Sequence, residues 1–131
     1  MTIEFSILEK ERAVLIKIDG AVDAGQVEQM RQQSVKSVSE TGITNFIVDM
    51  RGLDSLLDGR TTAIVDLASD FKDLGFTVWS NTAVLMPVVQ RAREQVDLLH
   101  AIEVNRGRGV LSYVETIDEA HSWFEEMARR V

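Results

Sequence analysis

The chain contains few side chains that could carry out catalysis or bind a metal ion. It has no cysteine, so disulfides, thiolate nucleophiles and cysteine-ligated metal centres are excluded. Its two histidines, His100 and His121, both fall within predicted helices. A zinc site needs three or four converging ligands, so we interpret both as partly exposed polar residues and expect no metal and no cofactor.

Two further patterns that would indicate enzyme chemistry are missing or misplaced. The serine-nucleophile motif G-x-S-x-G is absent. The run Gly107-Arg108-Gly109 lacks the lysine of a phosphate-binding loop, and it precedes a predicted strand where such a loop would precede a helix. We therefore expect a binding or regulatory module and not an enzyme.

Asp49 is the acidic residue whose position in the chain most resembles that of a functional carboxylate. It follows the short apolar run over residues 46–48, and open α/β sheets place their sites at the carboxyl ends of such strands. A receiver domain has an aspartate there, but it also needs an acidic pair after its first strand to hold magnesium. We interpret Asp49 as a carboxylate that accepts hydrogen bonds from the backbone that follows it.

The charge distribution argues against nucleic acid and anionic membranes as partners. The net charge is −7, with ten acidic against seven basic residues in positions 1–65 and eleven against seven in 66–131. Binding to phosphates requires a basic surface, and anionic lipid repels an acidic chain. We expect no signal peptide at residues 1–8, and no apolar run approaches the roughly 18–20 residues that span a bilayer. A cytoplasmic location is the expectation.

Apolar periodicity predicts two strands and then a helix at the start of the chain. Residues 3–9 alternate apolar and polar side chains, and residues 13–18 form a second strand after a short polar break. So short a connection allows an antiparallel hairpin and no parallel crossover. Asp23 and Gln26 have the spacing of a capping box, and Gly42 ends the helix. The expected inner stripe of this helix is Val27, Met30, Ser34, Val35 and Val38.

Strands and helices alternate in the rest of the chain. The buried strand at 46–48 is followed by a predicted loop over 53–58 and a helix over 59–74. A strand over 78–86 precedes Pro87, which suits the first position of a third helix. Residues 110–114 form the last strand, and Thr116 and Glu119 have the capping-box spacing that begins the last helix. The expected inner residues of the last two helices are Val88, Ala92, Val96, Leu99 and Ile102, and Ile117, Ala120, Phe124, Met127 and Val131.

The predicted order of elements is ββαβαβαβα within one domain over residues 1–131. Helical crossovers between short buried strands indicate an α/β fold with a mixed, mostly parallel sheet and an antiparallel N-terminal hairpin.

Three stretches of this chain resemble STAS domains, the fold of anti-sigma-factor antagonists. Residues 15–23 (LIKIDGAVD) are similar to the second strand and first helix start of that family, and residues 45–53 (NFIVDMRGL) to its third strand and following loop. Residues 112–124 (SYVETIDEAHSWF) are similar to its last strand and final helix. The resemblance implies a bacterial regulatory domain that binds a protein partner.

The chain departs from the STAS pattern at the residue that the family phosphorylates. The family has a D-S-S-G-like run at the start of its second helix, with the phosphorylatable serine after the aspartate. This chain has Asp58-Gly59-Arg60-Thr61-Thr62, so Gly59 stands at the phosphoacceptor position. This departure places the chain in a divergent STAS-like branch, and capping explains the threonines without modification.

The leading hypothesis is a non-enzymatic module that binds a protein partner through the loop over 52–62 and the second helix. The alternative is a carrier of a small apolar ligand or lipid in a pocket between helix and sheet, and assembly into a homodimer also stays open. The residues expected at the partner-binding loop and helix are Asp49, Gly52, Ser55, Asp58, Gly59, Arg60, Thr61, Thr62 and Asp66. The residues expected at the alternative pocket are Trp79 and Met86.

Overall fold

One five-stranded sheet organises the part of the chain that the computed structural model describes, which is residues 2–9, 12–57, 60, 81–105 and 111–129. Its strands are β1 (Thr2–Leu8), β2 (Ala13–Val22), β3 (Asn45–Leu56), β4 (Asn81–Leu85) and β5 (Leu111–Val114). The helices of these residues are α1 (Ala24–Thr41), α2 (Gln90–Asn105) and α3 (Ile117–Arg129). The predicted helix over 59–74 lies outside the described residues, apart from Arg60.

The strands lie side by side in chain order, from β1 at one end of the sheet to β5 at the other. β1 and β2 pair antiparallel, and every later pair is parallel. The predicted α/β class, with its N-terminal hairpin and mostly parallel sheet, is confirmed.

Helices cover the two faces of the sheet through separate hydrophobic clusters. α1 and α2 pack on one face, against strand residues that include Ile16, Phe46 and Val48. α3 packs on the opposite face, where Ile47 and Leu85 belong to a second cluster. Right-handed crossovers that advance in one direction along a parallel sheet place their helices on the same face, which explains the position of α1 and α2.

The ends of α1 follow the predicted capping chemistry. The Asp23 carboxylate accepts a hydrogen bond from the Gln26 N–H at 2.9 Å, and the Gln26 side chain accepts one from the Asp23 N–H at 2.8 Å. Gly42 ends the helix with φ 72°, and its N–H donates to the Val38 carbonyl oxygen. The prediction that Val35 is buried is wrong: it is 41% exposed, because it lies about 100° around the helix from the inner residue Ser34.

The start of α2 is later than predicted. Pro87 is buried but precedes the helix, and Val88 is 78% exposed and not on its inner stripe. Met86 N–H donates to the Val114 carbonyl oxygen and Val88 N–H to the Arg51 carbonyl oxygen. These bonds hold the segment against the end of the sheet, so the chain turns into the helix only at Gln90.

The buried side of α2 and the first turn of α3 agree with the predicted periodicity. Ala92 and Val96 are fully buried, as is Ala120 of α3. Thr116 accepts a hydrogen bond from the Glu119 N–H at 3.1 Å, but the Glu119 carboxylate accepts from the N–H of Glu115 and not from that of Thr116.

Candidate functional site

The predicted partner-binding loop begins inside a strand. The prediction of a loop over residues 53–56 is wrong, because β2 is longer than expected and its pairing with β3 extends to Val22 and Leu56. The chain turns at Leu57, which has a positive φ of 53° and accepts a hydrogen bond from the Arg60 N–H at 3.1 Å. The strand therefore carries Arg51, Gly52 and Ser55 in fixed positions.

Gly52 allows a close approach between β3 and β2. It lies opposite Asp19, between two irregularities in the pairing of these strands. A Cβ added to Gly52 would overlap the Asp19 carboxylate and lie 3.4 Å from the Ile18 carbonyl oxygen. Any side chain at this position would displace Asp19, which accounts for the glycine.

Asp49 and Arg51 form an ion pair on the α3 face of the sheet. Asp49 is 4% exposed, and its two carboxylate oxygens accept hydrogen bonds from Nε and Nη2 of Arg51, each at 2.9 Å. The Arg51 N–H also donates to Asp49, at 3.1 Å, so the interpretation of Asp49 as an acceptor for the following backbone is confirmed. The Arg51 side chain is 45% exposed and presents a cation in a fixed orientation.

The ion pair keeps Asp49 charged. Burial by itself raises the pKa of this carboxyl, but the hydrogen bonds from Arg51 and the positive charges of Arg51 and Lys17 outweigh burial and lower the pKa below its usual range. The hydrogen bond to Asp49 likewise raises the pKa of Arg51. Asp49 is thus a poor proton donor or acceptor at neutral pH. Its carboxylate is buried, and Arg51 is the exposed member of the pair.

Side chains of α2 attach the start of that helix to the end of β3. The Leu56 N–H donates to Oε1 of Gln95 at 2.6 Å. The Arg91 guanidinium donates to the Asp54 carbonyl oxygen at 3.3 and 3.4 Å. These contacts make one connected surface of residues 51–57, Arg60 and residues 87–91, which we call the β3–α2 surface.

Two valines on the β3–α2 surface are exposed. Val88 is 78% exposed and Val89 is 40% exposed, while Pro87 before them is buried. The Val88 N–H donates to the Arg51 carbonyl oxygen at 3.4 Å, and Nη1 of Arg93 donates to the Pro87 carbonyl oxygen at 3.3 Å. The backbone of the apolar pair is therefore attached to the backbone of Arg51 at the end of the sheet.

The predicted loop over 52–62 covers residues 52–57 and Arg60 of this surface, but sequence reasoning missed Arg51 and the two valines, although two signals for them exist. Arg51 and Asp49 are two apart in a strand, and such residues share a face of the sheet. Val88 and Val89 follow Pro87 directly after a buried strand, which is a place for a turn as much as for a helix start.

The structure describes some of the predicted site residues, and others lie outside the described ranges. Gly52 and Ser55 lie in β3, Ser55 half-buried, and Arg60 is exposed beyond the turn at Leu57. Six others lie outside the described residues: Asp58, Gly59, Thr61, Thr62, Asp66 and Trp79.

Met86, the second residue expected to line an apolar pocket, is packed in the core. It is 6% exposed and belongs to the cluster that includes Val84, Ala92 and Val96. The side chain therefore supports the attachment of α2 to the sheet.

The described residues bring together no group of three or more histidine, aspartate or glutamate side chains that could hold a metal ion. His100 stacks on Tyr113, with 4.0 Å between the ring centroids. None of the helices in the described ranges combines the length and the apolar composition that a membrane crossing requires.

Comparison with known proteins identifies the fold. No protein-family model matches the chain, and no curated protein sequence matches it. The solved structure of the anti-sigma factor antagonist SpoIIAA in its unphosphorylated form is similar, with a TM-score of 0.57 and 18% sequence identity. The match covers 99% of this chain and 98% of SpoIIAA, so the predicted STAS-like fold is confirmed.

Proposed function

We propose that this chain is a non-enzymatic regulatory module of the bacterial cytoplasm that binds a protein partner through the β3–α2 surface. The observation that carries the proposal is the exposed pair Val88 and Val89, whose backbone is hydrogen-bonded to that of the ion-paired Arg51. Exposed apolar side chains with polar groups around them are typical of protein-interaction sites, and arginine is enriched at such sites.

The rigidity of the β3–α2 surface favours binding. Arg51 is already held by two hydrogen bonds to Asp49, so a partner that contacts it loses less side-chain entropy than it would with a free arginine. The bonds from Leu56 to Gln95 and from Arg91 to Asp54 fix the backbone around the valines in the same way. A surface organised before binding retains more of its contact energy as affinity.

The fold is consistent with a regulatory role. SpoIIAA, which has the same fold, is an anti-sigma factor antagonist, and its structure is that of an unphosphorylated form. We extend to this chain the binding of a regulatory protein, but not a phosphorylation switch, because Gly59 stands at the family's phosphoacceptor position. A stoichiometric mass increase of about 80 Da on Ser55, Thr61 or Thr62 in protein from its native host would contradict the second part.

The state of Asp49 supports a role without catalysis. Its lowered pKa and its bidentate pairing to Arg51 leave it neither poised for proton transfer nor free for nucleophilic attack.

The test is affinity capture from host lysate with three forms of the tagged chain. Val88→Asp places a charge on the exposed apolar pair, and Val35→Asp is the matched control, since Val35 is a 41% exposed valine on α1. We expect proteins that the wild type and the Val35→Asp variant both retain to be lost from the Val88→Asp variant. Equal retention by all three forms, with all three folded, would overturn the proposal.

A further inference from the structure

Within the described residues, β1 is the outermost strand of the sheet, and no other described strand pairs with its outer edge. Among the described strands β1 pairs only with β2, so half of its backbone N–H and C=O groups point outward. Its seven residues pair with β2 without a bulge, and they include no proline, lysine or arginine. Natural proteins protect such edges with bulges, prolines or inward charges, so a long regular edge that lacks them is suited to strand addition.

A groove runs between this edge and α1. It has a volume of about 260 Å³, and its apolar lining comes from Phe5, Ile7 and Val14. Ile7 is 46% exposed. The charged lining comes from Lys36 and Glu40 of α1, which are 3.8 Å apart and compensate each other. The groove is therefore close to neutral in a chain of net charge −7.

We propose that a second copy of this chain adds to the edge, with the two β1 strands antiparallel and related by a twofold axis at Phe5. Residues that pair across two antiparallel strands lie on the same face of the sheet, so the apolar row of one β1 must meet the apolar row of the other. Centring on Phe5 pairs all seven residues and sets Ile3 opposite Ile7 of the second copy. It also sets Glu4 opposite the uncharged Ser6.

The neighbouring registers that keep the apolar rows together are less favourable. Centring on Glu4 would oppose the Glu4 carboxylates of the two copies, and like charges directly opposite are destabilising. Centring on Ser6 would leave Thr2 and Ile3 without a partner in the seven-residue strand. The register centred on Phe5 is thus the longest of the three, and it opposes no like charges.

A second copy satisfies the edge along its whole length. The pairing supplies roughly six to eight backbone hydrogen bonds, because alternate residues of an antiparallel pair exchange two bonds each. Two copies of an acidic chain repel each other over most of their surfaces. Here they meet at a groove in which the charges of Lys36 and Glu40 compensate each other, and each β1 strand carries one glutamate. This surface shares no residue with the β3–α2 surface, so the inference does not depend on the proposed function.

The test measures, by sedimentation velocity of the full chain, how dimerisation depends on the charges at positions 4 and 6. Ser6 is exposed and lies opposite Glu4 of the second copy in the proposed register. Ser6→Glu should weaken the dimer by about fivefold or more, since it opposes two like-charge pairs, and Ser6→Lys should strengthen it by a similar factor. The double variant Glu4→Lys/Ser6→Glu should restore dimerisation.

Because the chain has no cysteine, single introduced cysteines allow an independent check of the register. An equimolar mixture of Glu4→Cys and Ser6→Cys chains, oxidised mildly, should give cross-linked heterodimers well above the twofold excess over either homodimer that random pairing produces. Circular dichroism melts establish that each variant is folded.

Three results would overturn the inference. The first is a wild type that stays monomeric at concentrations up to about 1 mM, where even a weak specific interaction would be seen. The second is a dimer whose stability does not depend on the charge at position 6. The third is cross-linking that gives heterodimers at only the random twofold ratio to either homodimer.

Discussion

The carboxyl end of β3 and the edge of the sheet at β1 are both strand backbone, but they are held in different ways. Side chains fix the end of β3: Asp49 holds Arg51, and Gln95 accepts from the Leu56 N–H. β1 is held by its pairing with β2 and by packing of Ile3 and Phe5 against the core. The comparison teaches that a surface of oriented side chains suits recognition of a different protein, whereas a strand edge that pairs with no other described strand suits addition of another strand.

The largest loss in the free energy of unfolding should come from removing Arg51, the ion-pair partner of the buried Asp49 carboxylate. Arg51→Ala leaves the Asp49 carboxylate buried without its partner, and we expect a loss of about 3 kcal/mol in the free energy of unfolding at pH 7. Asp49→Asn leaves an arginine whose half-exposed side chain can turn to water, so its cost should be smaller, about 1–2 kcal/mol. Urea unfolding measures both variants. Equal losses would show that burial of Asp49 does not set the cost.

The pair of Asp49 and Arg51 should make the free energy of unfolding depend on pH, and the Asp49→Asn variant should lack this dependence. Because the pKa of Asp49 is lowered in the folded chain from its ordinary value of 3.8, the pair stabilises the fold above that pH. The stability is lost as the pH falls through the folded pKa, since the carboxylate then becomes protonated. Urea midpoints of the wild type and the variant should converge below about pH 4. A constant difference down to pH 2.5 or so would contradict a charged pair.

Removing the link between α2 and β3 should cost less. Gln95→Ala deprives the partly buried Leu56 N–H of its acceptor, and we expect a loss of about 1 kcal/mol. Gln95→Glu keeps an acceptor in place and should recover most of that loss at neutral pH. Equal losses in the two variants would contradict the claim that an acceptor at position 95 stabilises the end of β3.

The smallest change in the free energy of unfolding should come from a substitution in β1. Ile7 is 46% exposed at the end of β1, so Ile7→Thr should change the free energy of unfolding of the monomer by about 0.5 kcal/mol. The measurement is thermal unfolding at low protein concentration. A loss as large as that of Arg51→Ala would show that the edge is as firmly packed as the end of β3.

Sequence patterns predicted the elements whose signals are local. The hairpin follows from the short polar connection between two apolar runs, and the start and end of α1 follow from Asp23, Gln26 and Gly42. These depend on hydrogen bonds between residues a few positions apart, which a single sequence displays directly.

The candidate site depends on contacts between distant residues, which the sequence does not display. Gly52, Asp54 and Ser55 indicate a loop, but pairing with β2 keeps them in β3. Val88 has the spacing of a buried helical residue, but the hydrogen bond from its N–H to Arg51 holds it outside the helix and in solvent. Local propensity was overruled at both places by tertiary pairing.

The most direct test of the central claim compares affinity with stability for Val88→Asp. The claim is that Val88 serves binding and contributes little to folding, as its 78% exposure indicates. With a partner obtained by capture, isothermal titration should show an affinity at least about tenfold weaker, because the variant would bury an unpaired carboxylate in the interface. The free energy of unfolding should stay within about 0.5 kcal/mol of the wild type. Unchanged affinity in this folded variant would contradict the account.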